Sequence, residues 1–376
     1  MPGGALHMTL TAQALAGAGI RDAGELIRDY CLWPDLYFGP RSEEVAPYMF
    51  FTDGIQFHYP PHTPVEDLYR YWSSTPEGFR LVRPGSDDNL RHFEAGTRFY
   101  LEKTVALLRS GERGEAWKYL GCLLHFLEDS AFGLHALEGP DGTDAFVLDR
   151  LSGREVAKYI CGLEIDDTLK TLTLAPRILS DDIEEAVALL YARYVRAAAD
   201  SRRALFDIAA GFLYGKSRNT LLENTKTMFL NALGLATDAA ATAAAVAEGR
   251  APKVAARRLA EFSPFFYPIG GAGGFALRRY EETDDAVTFG VNGEAVLLYR
   301  VPRNVYRLFT ARIRPADTGP LTFGLVNDGV CARRFDLAGS EEFSAELPSP
   351  AGTVGFHLVS PAPRGTIRIE SGTFLK

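Results

Sequence analysis

The hydrophobic period changes once along this chain of 376 residues, and that single change constrains the fold more than any composition figure. From about residue 8 to about residue 260, apolar residues recur every three or four positions. Examples are "LEKTVALLRS", "GEAWKYLGCLLHFLED", "DDIEEAVALLYARYVRAAADSRRALFDIAAGFL" and "LLENTKTMFLNALGLATDAAATAAAVAEG". This spacing gathers apolar side chains on one face of an α-helix. After "SPFFYPIGGAGG" the period falls to two, in "AVTFGV", "AVLLYRV", "VYRLFTARI", "LTFGLV", "GTVGFHLV" and "GTIRIES", with the turn pair Asn292-Gly293 between the first two. Alternation of this kind makes strands with one buried face. The sequence therefore predicts a multi-domain chain, an all-α domain over residues 1–260 followed by an all-β sandwich domain over residues 261–376. The boundary falls near residue 262, in a Pro/Gly-rich linker.

One stretch breaks the helical pattern. "GPRSEEVAPYMFFTDGIQFHYPPHTP" carries enough Pro and Gly to predict a long ordered loop over residues 39–64, a place where functional groups often sit. The formal charge of −8 gives no broad basic surface, so binding to a nucleic-acid backbone is not expected. The four cysteines lack CxxC spacing, which points to neither a zinc ribbon nor a disulfide framework, and Cys31 and Cys122 read as small core residues. No Lys or Arg precedes the apolar part of "MPGGALHMTLTAQALAGAG", and no apolar run reaches the roughly 20 residues of a membrane span. A cytoplasmic location without membrane contact is the expectation.

Chemistry concentrates in "HFLEDSAFGLH", residues 125 to 135. On a helix running from Glu115 to Phe132, His125 and Asp129 stand one turn apart on one face. His135 follows Gly133, where the helix is expected to end, and can fold back toward that pair. A buried carboxylate is costly unless it is paired or metal-bound, and imidazole with carboxylate is a zinc ligand set. The competing reading is a His–Asp hydrogen bond inside a core, with His135 at the surface. His92 and His357 read as structural residues at a helix start and on a strand.

These residues resemble the zinc-dependent phospholipase C and P1/S1 nuclease superfamily, which includes clostridial alpha-toxin. The family's central helix carries HxxxDxxxxxH, here His125, Asp129 and His135. "LHMTLTAQAL" is similar to the family's N-terminal helix start and offers His7, while "LWPD" and "QFHY" are similar to segments of its first zinc site and offer Asp35 and His58. The resemblance covers about 250 residues, and helical domain before β-sandwich is alpha-toxin's domain order. It implies one zinc held by Asp35, His58, His125 and Asp129, with Asp129 bridging to another metal that also holds His7, and His135 on a remaining metal. The family completes that last site with a later HxxxE or HxxxD. This chain has no histidine between 135 and 357, and Glu138, Asp141, Asp144 and Asp149 are the nearby carboxylates. One to three zinc ions are expected, two favoured.

The implied activity is metal-assisted phosphoester hydrolysis of a phosphorylated or diphosphorylated small molecule or lipid, with Asp35 and His135 as catalytic residues. Tyr48, Phe50, Phe51, Phe57 and Tyr59 would wall the pocket beside His58. Two other readings stay open. One is a metal-dependent lyase or cyclase that uses the altered site in specialised metabolism; the other is a metal-free binding protein that kept the fold.

Overall fold

The structure, a computed structural model, describes residues 4–52, 55–56, 72–75, 78–81, 92–132, 156, 159, 167, 169–262, 264–268, 277–291, 293–317, 321–327, 330–347, 353–360 and 365–376. The chain divides into a helical unit, residues 1–64 with 88–252, and a β unit, residues 65–87 with 253–376. The change of hydrophobic period near residue 262 thus lies inside the second unit. The chain enters that unit earlier, through a short strand, Ala256–Arg258, which pairs with the C-terminal strand.

The helical unit contains α1 (Gly4–Gly17), α2 (Gly24–Arg28), a 3-10 turn (Tyr30–Leu32), α3 (Trp33–Leu36), α4 (Ser42–Val45), α5 (His92–Ser110), α6 (Arg113–Ala131), α7 (Ile183–Tyr214) and α8 (Arg218–Ala247). An ordinary surface helix buries one stripe, whereas α6 is buried all round from Leu120 to Ala131. It is the central helix of the unit. It ends because Phe132 adopts an extended backbone (φ −128°, ψ 138°).

Glycine lets one neighbour come unusually near this helix. A Cβ on Gly121 would lie 2.7 Å from the Tyr30 carbonyl carbon, so only glycine admits the 3-10 turn at this distance. That turn is braced from outside by Arg41, whose guanidinium forks onto Asp29 at 2.6 and 3.1 Å and also binds Glu44. These ion pairs are partly exposed, so their role is placement more than stability.

The long helices α7 and α8 have clear stops. Asp182 caps α7 by accepting from the Glu185 N–H at 2.9 Å, and Gly215 ends it in the left-handed conformation (φ 64°). Alanine-rich α8 is long and apolar enough to cross a membrane by composition, but 78% of the relevant window is buried within the structure. Its polar residues hold the segment before α7: Asp238 accepts from the Arg177 N–H at 2.7 Å, and Thr242 accepts from the Leu179 N–H at 3.1 Å.

The expected loop over residues 39–64 is more structured than its Pro and Gly content implies. It contains α4, a 3-10 turn over Ala46–Tyr48, and two short paired strands, β1 (Phe51–Thr52) and β2 (Ile55–Gln56). Tyr48 packs on Trp33 and Tyr119 at 4.8 and 5.2 Å, and Phe50 packs on Phe99 at 5.2 Å. These two rings belong to the packing of the helical unit. The side chains of Phe51, Phe57 and Tyr59 lie outside the described residues.

The β unit contains a hairpin, β3 (Trp72–Thr75) with β4 (Gly78–Leu81), and two antiparallel sheets. The strands are β5 (Ala256–Arg258), β6 (Pro264–Pro268), β7 (Leu277–Glu282), β8 (Ala286–Val291), β9 (Glu294–Arg300), β10 (Leu308–Pro315), β11 (Leu321–Asn327), β12 (Val330–Leu337), β13 (Glu341–Glu346), β14 (Thr353–Val359) and β15 (Gly365–Leu375). One sheet runs β13-β10-β15-β8-β7 with β5 on β15, and the other runs β12-β11-β14-β9-β6. Inward side chains alternate as the period of two requires: Phe309, Ala311 and Ile313 on β10, and Val354, Phe356 and Leu358 on β14. Phe309 meets Phe356 across the two sheets at 5.4 Å, and Phe323 meets Phe343 at 5.7 Å. The result is a β-sandwich with an aromatic core. Gly293 takes the positive φ, 82°, that a tight hairpin turn demands.

Candidate metal centre

Three helices, α1, α3 and α6, and one 3-10 turn meet at the candidate site, and α1 and α6 deliver their polar groups from otherwise apolar faces. On α1 the buried face includes Leu6, Leu10 and Ala14, yet His7 and Thr11 share it, one turn apart. On α6 the matching residues are His125, Glu128 and Asp129, all buried. Asp35 comes from α3, and the 3-10 turn offers the Cys31 carbonyl.

Each histidine is held by its Nδ1. The Cys31 carbonyl, which can only accept, takes a hydrogen bond from His125 Nδ1 at 2.7 Å, so the proton of a neutral His125 sits on Nδ1 and Nε2 carries the lone pair. His7 Nδ1 donates to Glu128 Oε2 at 2.7 Å, and Thr11 donates to Glu128 Oε1 at 2.8 Å. The two rings stack with centroids 3.9 Å apart and 16° between their planes. Both Nε2 atoms therefore face the same carboxylate. His7 Nε2 lies 3.3 Å from Asp129 Oδ1, and His125 Nε2 lies 3.3 Å from Asp129 Oδ2. His125 Nε2 is also 3.7 Å from Asp35 Oδ1.

A lone pair aimed at a carboxylate oxygen is repulsive unless a positive charge sits between them. Either protons or a cation must supply it. Without a cation, His7 supplies it as a proton: burial pulls its pKa down, but the charges and hydrogen bonds of Asp129 and Glu128 outweigh burial and push it up to about 10. Burial raises the Glu128 carboxyl, against the opposing pull of His7 and Thr11. Yet the proton is loosely held, because Asp129 Oδ1 lies 3.3 Å from His7 Nε2, long for a charged pair.

The same donor set also fits a divalent ion. One ligand atom from each of His7, His125 and Asp129 lies within 4.8 Å of the others. Two donors on one tetrahedral zinc, with bonds of about 2.0–2.1 Å, stand roughly 3.3 Å apart. Imidazole nitrogen plus carboxylate oxygen is a borderline donor set that fits zinc rather than calcium or magnesium. The side chain of Asp35 is 27% exposed whereas those of His125 and Asp129 are each 2% exposed, so the cluster meets solvent on the Asp35 side.

Of the six residues singled out in the sequence, the structure brings His7, Asp35, His125 and Asp129 together. His58 and His135 lie outside the described residues, as do Glu138, Asp141, Asp144 and Asp149. His92 opens α5, and His357 is buried on β14 beside Arg334 at 3.0 Å. Sequence reasoning missed Glu128, Thr11 and the Cys31 carbonyl. Glu128 had a signal: a second carboxylate three residues after His125, in a stretch that is otherwise apolar, lies close to the face of His125 and Asp129.

No family model and no curated protein matches the chain. Among solved structures it is similar to a fragment of Clostridium perfringens ZmpB that joins a catalytic domain to two CBM51 domains, with 11% identity and a TM-score of 0.23 over 32% of this chain and 15% of that one. A second ZmpB structure, of CBM51-2 in complex with GlcNAc and INT domains, gives 9% identity and a TM-score of 0.24 over 32% of this chain and 31% of that one. The carbohydrate-binding module CBM36, solved with calcium and xylotriose, gives 14% identity and a TM-score of 0.21 over 32% of this chain and 98% of that one. The chain thus spans 15% and 31% of the two ZmpB structures. At TM-scores this low, the likeness says nothing of what the chain binds.

Proposed function

We propose that the helical unit has the phospholipase C/P1 nuclease type of fold and that the protein is a zinc-dependent phosphoric ester hydrolase acting on a phosphorylated or diphosphorylated small molecule or lipid. The observation that carries the metal reading is the pair of buried Nε2 atoms facing the two oxygens of Asp129, each histidine being fixed by a hydrogen bond at its other nitrogen. His7, His125 and Asp129 would hold zinc, with Asp35 on the solvent side and His58 and His135 as further ligands. The reaction class rests on the resemblance of these motifs to the family.

Zinc held there supplies Lewis acidity toward a phosphate oxygen and makes water acidic enough to react near neutral pH. The chain does the positioning. The Cys31 carbonyl and Glu128 keep the imidazoles in one tautomer and orientation, which presents both Nε2 atoms to one point. Asp129 faces each histidine with one oxygen and would hold the metal together with them. Asp35, on the open side, would accept the proton of the attacking water.

The test is turnover of a chromogenic phosphodiester and of a diphosphate ester by protein stripped of metal and then reloaded with zinc. Zinc-dependent release of the alcohol without rearrangement supports hydrolysis. A rearranged or cyclised product from the diphosphate would replace it with the lyase reading. Zinc-loaded protein with neither activity would overturn the enzymatic proposal.

A further inference from the structure

Glu128 is a fully buried carboxylate with no lysine or arginine among its hydrogen-bond partners in the described residues, and isolated ionised carboxylates are strongly disfavoured in such places. Its two oxygens are instead divided between two residues of α1. One accepts from His7 Nδ1 at 2.7 Å and the other from Thr11 at 2.8 Å. Thr11 is one turn beyond His7, so both side chains stand on one face of α1 and converge on the carboxylate. The carboxylate cannot rotate without breaking one of these bonds. The imidazole in turn cannot rotate without losing Glu128, and its Nε2 stays aimed at Asp129.

We propose that Glu128 is the positioning residue of the metal centre, fixing His7 by a carboxylate–imidazole hydrogen bond so that the negative charge and the orientation of Nε2 set the site's affinity for a divalent cation. Thr11 is part of the same device. This rests on the metal reading above and adds a residue that touches no metal. Its competitor is a purely structural tie between α1 and α6, and the two differ in what they do to the bound ion: a structural tie changes the unfolding midpoint but leaves the affinity and ligand field of a metal in the folded protein alone.

The experiment measures zinc affinity of the full chain by competition with a chromophoric chelator, together with the visible absorption of the cobalt(II)-substituted protein and far-UV circular dichroism. Glu128→Gln keeps an acceptor and removes the charge, and is expected to weaken zinc about tenfold, while Glu128→Ala removes both and weakens it about 100-fold. Both shift the cobalt spectrum, and Glu128→Asp recovers part of the affinity. Thr11→Val, which leaves the His7 bond in place but frees the other oxygen, weakens zinc by a smaller factor. Folded Glu128 variants with wild-type affinity and cobalt spectrum overturn the proposal while the metal reading stands. If the Glu128 variants do not fold, Thr11→Val decides, and an unchanged affinity and spectrum overturn it there. Wild-type protein that takes up no zinc overturns the metal reading itself, and this inference with it.

Discussion

At the residue scale, the cluster is governed by a conflict between burial and charge. His7, His125, Glu128 and Asp129 are all nearly or fully removed from water, where an unpaired charge costs several kcal/mol. Two predictions follow from how that conflict is resolved. Asp129 faces both imidazoles, so Asp129→Asn is expected to strip more zinc and more activity than His135→Ala while helical content stays near wild type; metal analysis and circular dichroism on the two variants check it. Equal zinc in Asp129→Asn and wild type would contradict its role as a metal ligand. The second prediction concerns protons. In metal-free protein His7 holds a proton up to about pH 10, so zinc must displace it at neutral pH. Because the raised pKa favours the protonated form, zinc affinity should go on rising with pH through 7 and 8 instead of levelling off above the ordinary histidine value near 6.5. Calorimetric titration in two buffers of different ionisation enthalpy should show at least about one proton released per zinc at pH 7.5. His125 and Asp129 were legible in the sequence because helical spacing joins them. His7 and Asp35 were legible only through the family resemblance, since nothing local to either residue indicates that the chain brings them to α6.

At the element scale, the site depends on how near the 3-10 turn comes to α6. Gly121 and His125 are one turn apart on the same helix, so the backbone admitted by the glycine is also the one that accepts the His125 hydrogen bond. Gly121→Ala must push the Tyr30–Cys31 backbone outward. It is expected to cost about 1–3 kcal/mol by overpacking and to weaken zinc binding as well. Gly114→Ala, in the first turn of α6 with nothing within 4 Å of the new Cβ, is the control; it should be neutral or stabilising by up to roughly 1 kcal/mol. Denaturant unfolding and zinc competition read both. The strands tell where sequence pattern fails. The alternating segments recognised in the sequence are β8, β9, β10, β11, β14 and β15, all of them interior strands. Those missed include β6, β7, β12 and β13, which stand at the ends of the two strand orders. An edge strand is paired on one side only and tolerates charge and proline. "LRRYEE", "VCARRFDL", "EEFSAE" and "PFFYP" therefore hide their alternation.

At the scale of the whole molecule, a single change of hydrophobic period announces two units, but it does not show that residues 65–87 join the second. Those residues lie between helical segments in sequence, and no periodicity marks where the chain crosses over. The four described residues of the candidate site, His7, Asp35, His125 and Asp129, fall in the first unit, and the aromatic core of Phe309, Phe323, Phe343, Phe356 and Phe374 falls in the second. A lesion in that core should therefore leave the metal in place. Phe356→Ala is expected to cost about 3–5 kcal/mol of sandwich stability while zinc content per folded chain is unchanged. Thermal unfolding with metal analysis of the soluble fraction checks this. The most direct test of the central claim is the metal content of the purified 376-residue chain after incubation with zinc and removal of free ion. The account predicts about two zinc ions per chain, falling sharply in Asp129→Asn. A wild-type chain that retains no zinc under those conditions would contradict it.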